Sequence, residues 1–476
     1  MWWPYVLAGF VGLMILIIII RTLTFKAKDF PEMRKKHEFD KVRAIESLSQ
    51  MIQFKTVSNI DESKVDKKAF KAFRQYLRER YPKINEVATY SEHEAGVLFH
   101  IKGMSDEQPS VLMSHYDVVP VTEGWQEDPF SGRVDEQTIY GRGTLDTKNS
   151  LCVIMEAVEY ALNQGKTFKN DLYLAFGGDE EISGPSAPAI RDHLHKQGIK
   201  PAFVLDEGGA IISKMFPGVK QKAAVIGISE KGYMDVSLTA RSRGGHASSP
   251  PKETAITELA KAVRRLNNHR AFKMKLTAPV KALFKTLPPH SKSFGVKMLF
   301  ANLWLFMPVV KMMAKKSGGE FASMFKTTQA FTVASGSDAY NVLPSEASLG
   351  VNYRLRPFES SDTVLKRIRK IIKNPNIEVK PLKISEATSV SLIDEQFGIL
   401  AKAIKQTWPD VLTTPYLMVA TTDSRHYHAI SDHVYKFSPM DVSRDDLRKI
   451  HGFDEDITID NVINGVNFYL NLIEQL

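Results

Sequence analysis

Cysteine is nearly absent from this 476-residue chain: Cys152 is its single representative, which excludes an internal disulfide framework. Cys152 lies in the run after Asn149 that reads as a helix, so it is expected to be a small core residue and not a nucleophile. Internal repeats, low-complexity tracts and the short His-Glu-x-x-His zinc motif are also missing. The basic excess of +9 is interspersed with acids and lacks the arginine-aromatic interleaving of a nucleic-acid module, so no nucleic-acid partner is expected. What remains for that charge is a solvated basic surface facing anionic lipid. Apolar content is ample at 43%, enough over this length for two domains with sizeable cores.

Trp2 to Ile20 carries no charge. As a helix rising ~1.5 Å per residue it approaches the ~30 Å hydrocarbon thickness of a bilayer. Trp2, Trp3 and Tyr5 supply an interfacial aromatic cluster. A cleaved signal peptide needs a basic leader and small residues at its end, and this stretch has neither. The expectation is a single-pass membrane anchor over 1–21 and a charged linker over 22–38. Arg21, Lys26, Lys28, Arg34, Lys35 and Lys36 all follow the span, which by the positive-inside rule would hold the large domain in the cytoplasm. Long domains translocate regardless of charge, so the side stays open.

Helices are expected near 39–54 and 66–80, the second with Phe70, Phe73, Tyr76 and Leu77 on one face. Buried strands are expected near 96–102, 111–119, 172–178 and 203–205, with a helix over 149–164 between the middle two. The texture then changes to strand, helix, two strands, helix, strand, at 232–240, 253–267, 328–334, 346–354, 361–373 and 376–382. That is the order of a split βαβ, ferredoxin-like unit. The resulting architecture is α/β with a mainly parallel central sheet: a catalytic domain over 39–230 and 385–476, and an inserted α+β lid over 231–384. The insertion 268–326 inside the lid holds an apolar excursion at 297–313, interrupted by lysines. It reads as a helix packed on its own domain, with a wall for a greasy substrate or a second membrane contact as the alternatives.

Chemistry concentrates between His115 and Glu181. Val111–Met113 leads into His115 and Asp117, Leu172–Phe176 into Asp179, Glu180 and Glu181, and Phe203–Leu205 into Asp206. In open α/β sheets, ligands bind outside the carboxyl ends of such strands, so these side chains can converge. Hydrolysing an amide at neutral pH needs an activated water and a stabilised oxyanion, which two metal ions about 3.5–4 Å apart can supply. His115, Asp146, Glu181, Asp206 and His451 would make two His/carboxylate sites suited to Zn²⁺ if one acid bridges. Asp146 is the expected bridge, because the glycines of GRGTLDTKN let the backbone approach closely. Asp117 is placed to orient His115, and Glu180 to act as general base.

The motifs HYDVVP, W-x-x-x-PFSG, YGRGTLDTKN, DEE-x-x-G, VLDEGG, GGHASSPP, NVLPSEA and IHGFDE occur in this order. Together they resemble the zinc exopeptidase family of aminoacylases, acetylornithine deacetylase and carboxypeptidase S. The likeness covers essentially everything after the anchor. It is closest to the branch with carboxypeptidase S and the N-fatty-acyl-amino-acid synthase/hydrolases, which share TDSR and IHG. It implies two Zn²⁺ (with Co²⁺ or Mn²⁺ as substitutes), one held by His115 and Asp206, the other by Glu181 and His451, with Asp146 between them. It implies His246 as a contact to the oxyanion or the scissile carbonyl, often across a dimer formed through the lid. Asn341, Arg354 and Arg425 are expected at the substrate carboxylate, where a guanidinium can bond bidentately, with a salt bridge inside the lid as the equal alternative for Arg354. The implied reaction is cleavage of an N-acyl amino acid or of the last bond of a short peptide. The reverse condensation is the alternative within the enzyme class, and a catalytically inactive, membrane-anchored binding protein the alternative outside it.

Overall fold

The computed structural model describes residues 2–27, 30, 33–268 and 271–476. Lys28, part of the 22–38 linker, and two residues of the 268–326 insertion lie outside the described residues.

Two sheets organise the chain. The larger is mixed, a difference from the mainly parallel expectation. Its centre is parallel: Ser105–His115 lies between Asn170–Gly177 and Phe203–Asp206, and Val434–Lys436 follows in the same direction. Antiparallel neighbours flank this centre, Gly96–Ile101 on one side and Ala223–Glu230 on the other. The central strands are buried on both faces, as parallel strands between helices are. On one face pack the helices Lys41–Gln53, Lys148–Asn163, Glu395–Thr407 and Ile459–Ile473. On the other lie Ser186–Lys196 and the turn carrying Tyr427 and Ile430. Local chemistry starts these helices: the Asp40 and Asp394 side chains each accept a backbone N–H from the first turn they cap. Lys148–Asn163 is buried almost all round: even its polar face is covered, where Glu156 accepts from Ser47 Oγ and Glu159 from the Lys83 and Ile84 amides.

The smaller sheet is antiparallel, in the order Thr328–Ser335, Glu346–Leu355, Gly232–Arg241, Ile377–Ser385. Ala255–Asn268 and Ser361–Ile372 cover one face of it around Met234, Val236, Leu238 and Val351. This is the expected βαββαβ arrangement, with elements within a few residues of the sequence reading. The chain enters at Gly232 and leaves at Ser385–Ala387, and the two crossings touch. A Cβ on Gly232 would stand 2.5 Å from Ala387 N, so only glycine fits.

The insertion differs from the expectation that it packs on its own domain. Val280, Leu283, Phe284 and Phe300 join Phe216, Val225, Leu412 and Leu417, so it sits on the edge of the large sheet beside Leu412–Met418. The described part of the linker is no free stalk either. Lys35 N donates to Gln406 O, and His37 N donates to Asn467 Oδ1 at 2.9 Å. Trp3–Leu23 is a continuous, mostly exposed helix, long and apolar enough to cross a membrane.

Candidate metal centre

The strand Ser105–His115 ends on His115, which is almost fully buried. Its Nδ1 lies 3.0 Å from Asp117 O, and its Nε2 lies 3.1 Å from Asp146 Oδ1 and 3.2 Å from Glu207 Oε1. The other oxygen of Asp146 faces the second imidazole: His451 Nε2 is 3.2 Å from Asp146 Oδ2 and 3.0 Å from Glu181 Oε2. One carboxylate is thus shared between two triads, His115–Asp146–Glu207 and Asp146–Glu181–His451, whose donor atoms lie within 4.8 Å of one another in each. His451 holds a left-handed backbone (φ 60) on an exposed turn.

The expected residues meet here with one exception. Asp206 is not in the cluster. Its Oδ1 accepts from Glu207 N at 2.9 Å and its Oδ2 from Ser424 N at 2.8 Å, so it braces the TDSR turn from behind. Glu207, the next residue, presents the carboxylate to His115. Asp117 does more than support the imidazole: its two oxygens accept from Glu180 N and Glu181 N at 3.1 and 3.2 Å. One buried acid thereby fixes the position of three of the site's residues.

The Gly141–Asp146 loop has a brace that sequence reasoning missed. Buried Glu455, from IHGFDE, accepts from the backbone N–H groups of Gly143, Leu145 and Asp146 through Oε1. Its Oε2 takes a 2.6 Å bond from Arg142 Nη1, while Arg142 Nη2 donates to Gly452 O. The loop carrying the shared acid and the loop carrying His451 are therefore one interlocked unit. Glu455 stands between Asp454 and Asp456, so spacing alone gave no sign of which of these acids turned inward.

Electrostatics describe a cluster short of positive charge. Burial pushes Glu180 well above the usual carboxylate range, with Asp423, Glu207 and Asp146 adding to it against His115. Burial also raises Glu207 to about 7 and lifts Glu181. Hydrogen bonds to Asp146 and then Glu181 raise His451 to about 10. Burial opposes charge on His115, yet Glu207, Asp117 and Asp146 together hold it well above its usual value. Glu181 Oε1 is buried with no hydrogen-bond partner. An unpaired lone pair beside three further carboxylates and two imidazoles is a donor set that divalent cations complete.

A cavity of about 840 Å³ opens over the cluster. Glu180, Glu181 and His451 line it from the large-sheet side together with Thr422, Asp423 and Arg425. Tyr233, Arg354, Lys383 and Ile384 line it from the small sheet. The Arg354 guanidinium sits 5.1 Å from the Tyr233 ring centroid, and Arg425 Nη1 is 3.5 Å from buried Glu230. His246 and Asn341 are not among the described residues lining this cavity. They lie side by side on an exposed edge, where Gly245–His246 pairs with Val342–Leu343 and Ala247 N donates to Asn341 O.

An α/β scaffold with His and carboxylate donors gathered at its strand ends is the architecture of a metal-dependent hydrolase. Residues 111–475 match the model of peptidase family M20/M25/M40, and the chain belongs to that family. It is a metallopeptidase or amidohydrolase of that group. It is 34% identical to an N-fatty-acyl-amino acid synthase/hydrolase of Xenopus tropicalis, over 98% of this chain and 94% of that one. It is 32% identical to a probable carboxypeptidase S-like protein of Dictyostelium discoideum, over 97% of this chain and 91% of that one. Among solved structures, the M20 family metallo-carboxypeptidase of Sulfolobus solfataricus superposes with a TM-score of 0.63 at 18% identity. That match covers 90% of this chain and 98% of the other.

Proposed function

We propose that this protein is a membrane-anchored di-zinc amidohydrolase that cleaves N-acyl amino acids or the last bond of short peptides. The observation that carries this reading is the division of the Asp146 carboxylate between His115 and His451 under a cavity holding Glu180. His115, Asp146 and Glu207 would hold one ion, and Asp146, Glu181 and His451 the other. Bound there, the ions would supply Lewis-acid polarisation of the carbonyl and a more acidic water. Asp117 keeps the His115 ring and the Glu180–Glu181 backbone in register. Glu180 takes the proton of the attacking water and returns it to the departing amine, a role suited to a carboxyl whose pKa burial has raised. Arg354, Lys383 and Arg425 give the cavity a cationic wall for the carboxylate that both substrate classes share. His246, on the exposed edge with Asn341, reaches such a site only by closure of the small-sheet unit or from a second copy.

The anchor reading is supported by how Trp3–Leu23 ends. Thr22 is buried, Arg21 donates to Ala301 O at 3.1–3.2 Å, and Asn302 Nδ2 donates to Thr22 Oγ1 at 3.2 Å. A helix tied into the fold at its last turn suits a retained anchor better than a leader removed by cleavage. Condensation of a fatty acid with an amino acid is the same reaction reversed, and the likeness to a synthase/hydrolase supports testing for it.

The test is a panel of N-acyl amino acids and dipeptides, each assayed with and without chelator and in both directions. Chelator-sensitive turnover of one class is expected. Glu180→Gln should keep its metal and lose about 10²–10⁴-fold in turnover. Turnover of neither class by the fully metallated protein would refute the reading.

A further inference from the structure

The insertion and the first helix meet in a way that hydrolysis does not require. Phe294–Ala301 and Leu303–Ser317 form a pair bent by 113° at Asn302. Asn302 is buried and donates to Ile18 O and Thr22 Oγ1, in the last two turns of Trp3–Leu23. The bend is therefore pinned to the point where an anchoring helix leaves the bilayer.

From there Leu303–Ser317 presents two unlike faces. Val310 and Ala314 are buried in the cluster on the Leu412–Met418 edge. The opposite face holds Trp304, Leu305, Val309, Met312 and Met313, all exposed, with Trp304 at 53% and Met312 at 64%. Spaced i, i+1, i+5, i+8 and i+9, they form one continuous apolar stripe. A soluble surface does not sustain such a stripe without a partner. Fifteen residues rising ~1.5 Å each fall short of a ~30 Å core, so this helix does not span. Phe294–Ala301 cannot extend it into a span, because Phe300 and Ala301 are buried in the protein.

Charge identifies the partner. Residues 268–326 contain eleven Lys or Arg and a single acid, Glu320, a net +10, whereas the whole chain carries +9. All of the protein's basic excess is in this one segment, and the remainder is close to neutral. Lys311, Lys315 and Lys316 lie on the apolar helix itself. Beside it a mostly apolar cavity of about 720 Å³ is lined by Phe284, Phe300, Trp304 and Met307 together with Arg21 and Lys281. Apolar side chains flanked by cations, next to the end of an anchor, match an anionic lipid surface.

We propose that Leu303–Ser317 lies in the interface of an anionic bilayer, its Trp304–Met313 stripe among the headgroups and upper acyl chains. The insertion thereby holds the catalytic unit against the membrane. This rests on the anchor reading of Trp3–Leu23, and the experiment separates the two. Full-length protein carrying Met312→Cys is labelled with an environment-sensitive fluorophore and reconstituted into phosphatidylcholine vesicles containing phosphatidylserine. Cys152 is buried, so the label is selective. Gly9→Cys in the first helix and Met104→Cys, at a site 73% exposed on the large-sheet unit, are labelled in parallel. Brominated lipids should quench the Met312 and Gly9 labels with loss of signal, and leave the Met104 label unchanged. Trp304→Glu with Val309→Glu should abolish quenching at Met312 and preserve it at Gly9. A Met312 label open to aqueous iodide while the Gly9 label is lipid-quenched would overturn the inference and keep the anchor. Loss of quenching at both sites would overturn both. A Met312 label shielded from iodide, unaffected by bromolipid and dependent on protein density would assign the stripe to a second copy and overturn the proposal.

Discussion

Asp206 and Glu207 are adjacent acids that face different partners, and neutral substitutions tell them apart. Glu207 aims its carboxylate at the His115 imidazole, whereas Asp206 accepts the Ser424 amide. Glu207→Gln is expected to lower the bound metal measured by mass spectrometry of the native protein. Asp206→Asn should keep full metal content and loosen the 422–425 turn. Metal loss in Asp206→Asn with full retention in Glu207→Gln would reverse the assignment. His451 gives a second prediction at this scale. In the metal-free protein its pKa is raised to about 10 by Asp146 and Glu181, above the ~6.5 of an unfolded histidine. A raised histidine contributes stability that is complete below about 6.5 and fades as pH climbs through about 10. The stability difference between chelated wild type and chelated His451→Ala, read by urea denaturation, should therefore shrink from pH 6.5 to 10. Metal affinity should rise over the same interval, because the imidazole must shed its proton to ligate. A pH-independent difference would remove His451 from that pair.

At the scale of elements, the interlock between the Gly141–Asp146 loop and the His451 turn depends on Glu455. This side chain is fully buried, accepts three backbone N–H groups and pairs with buried Arg142. Removing one partner of a buried ion pair costs about 3–5 kcal/mol, because the other charge stays behind unpaired. Glu455→Ala is expected to lose that much stability in denaturant and to lose activity with it. A loss below about 1 kcal/mol would mean that the loop is held by other contacts. The sequence was a good guide to elements and a poorer one to such braces. Strands with apolar runs, such as Asn170–Gly177, and amphipathic helices, such as Lys67–Arg80, stand within a few residues of where periodicity predicts them. The choice between Asp206 and Glu207 was not legible, for a physical reason. Side chains of a strand alternate between faces, but Phe203, Val204 and Leu205 are all buried, so no polar alternation fixes the phase at the strand end. Val434–Lys436 escaped notice because a three-residue strand carries no period of its own. The seat of the insertion on Leu412–Met418 depends on partners about a hundred residues away, which local pattern does not report.

Across the whole molecule, the candidate site draws on two stretches of chain that the small-sheet unit separates. His115, Asp146, Glu181 and Glu207 precede the excursion, and His451 follows it. An ion held by both stretches binds the folded state and not the unfolded chain, so it stabilises by mass action, about 2.7 kcal/mol at a concentration a hundredfold above Kd. Chelation should accordingly lower the unfolding midpoint, and added zinc should restore it. The loss should begin locally, because His451 sits on an exposed turn while the other four candidate ligands are buried or half-buried on the large-sheet framework. Arg444 and Arg448, on the exposed approach to that turn, offer trypsin a direct readout. Cleavage there is expected to accelerate on chelation before cleavage elsewhere does, and to slow when zinc returns. If the 444–448 bonds are cut at the same rate with and without metal, His451 does not close the site.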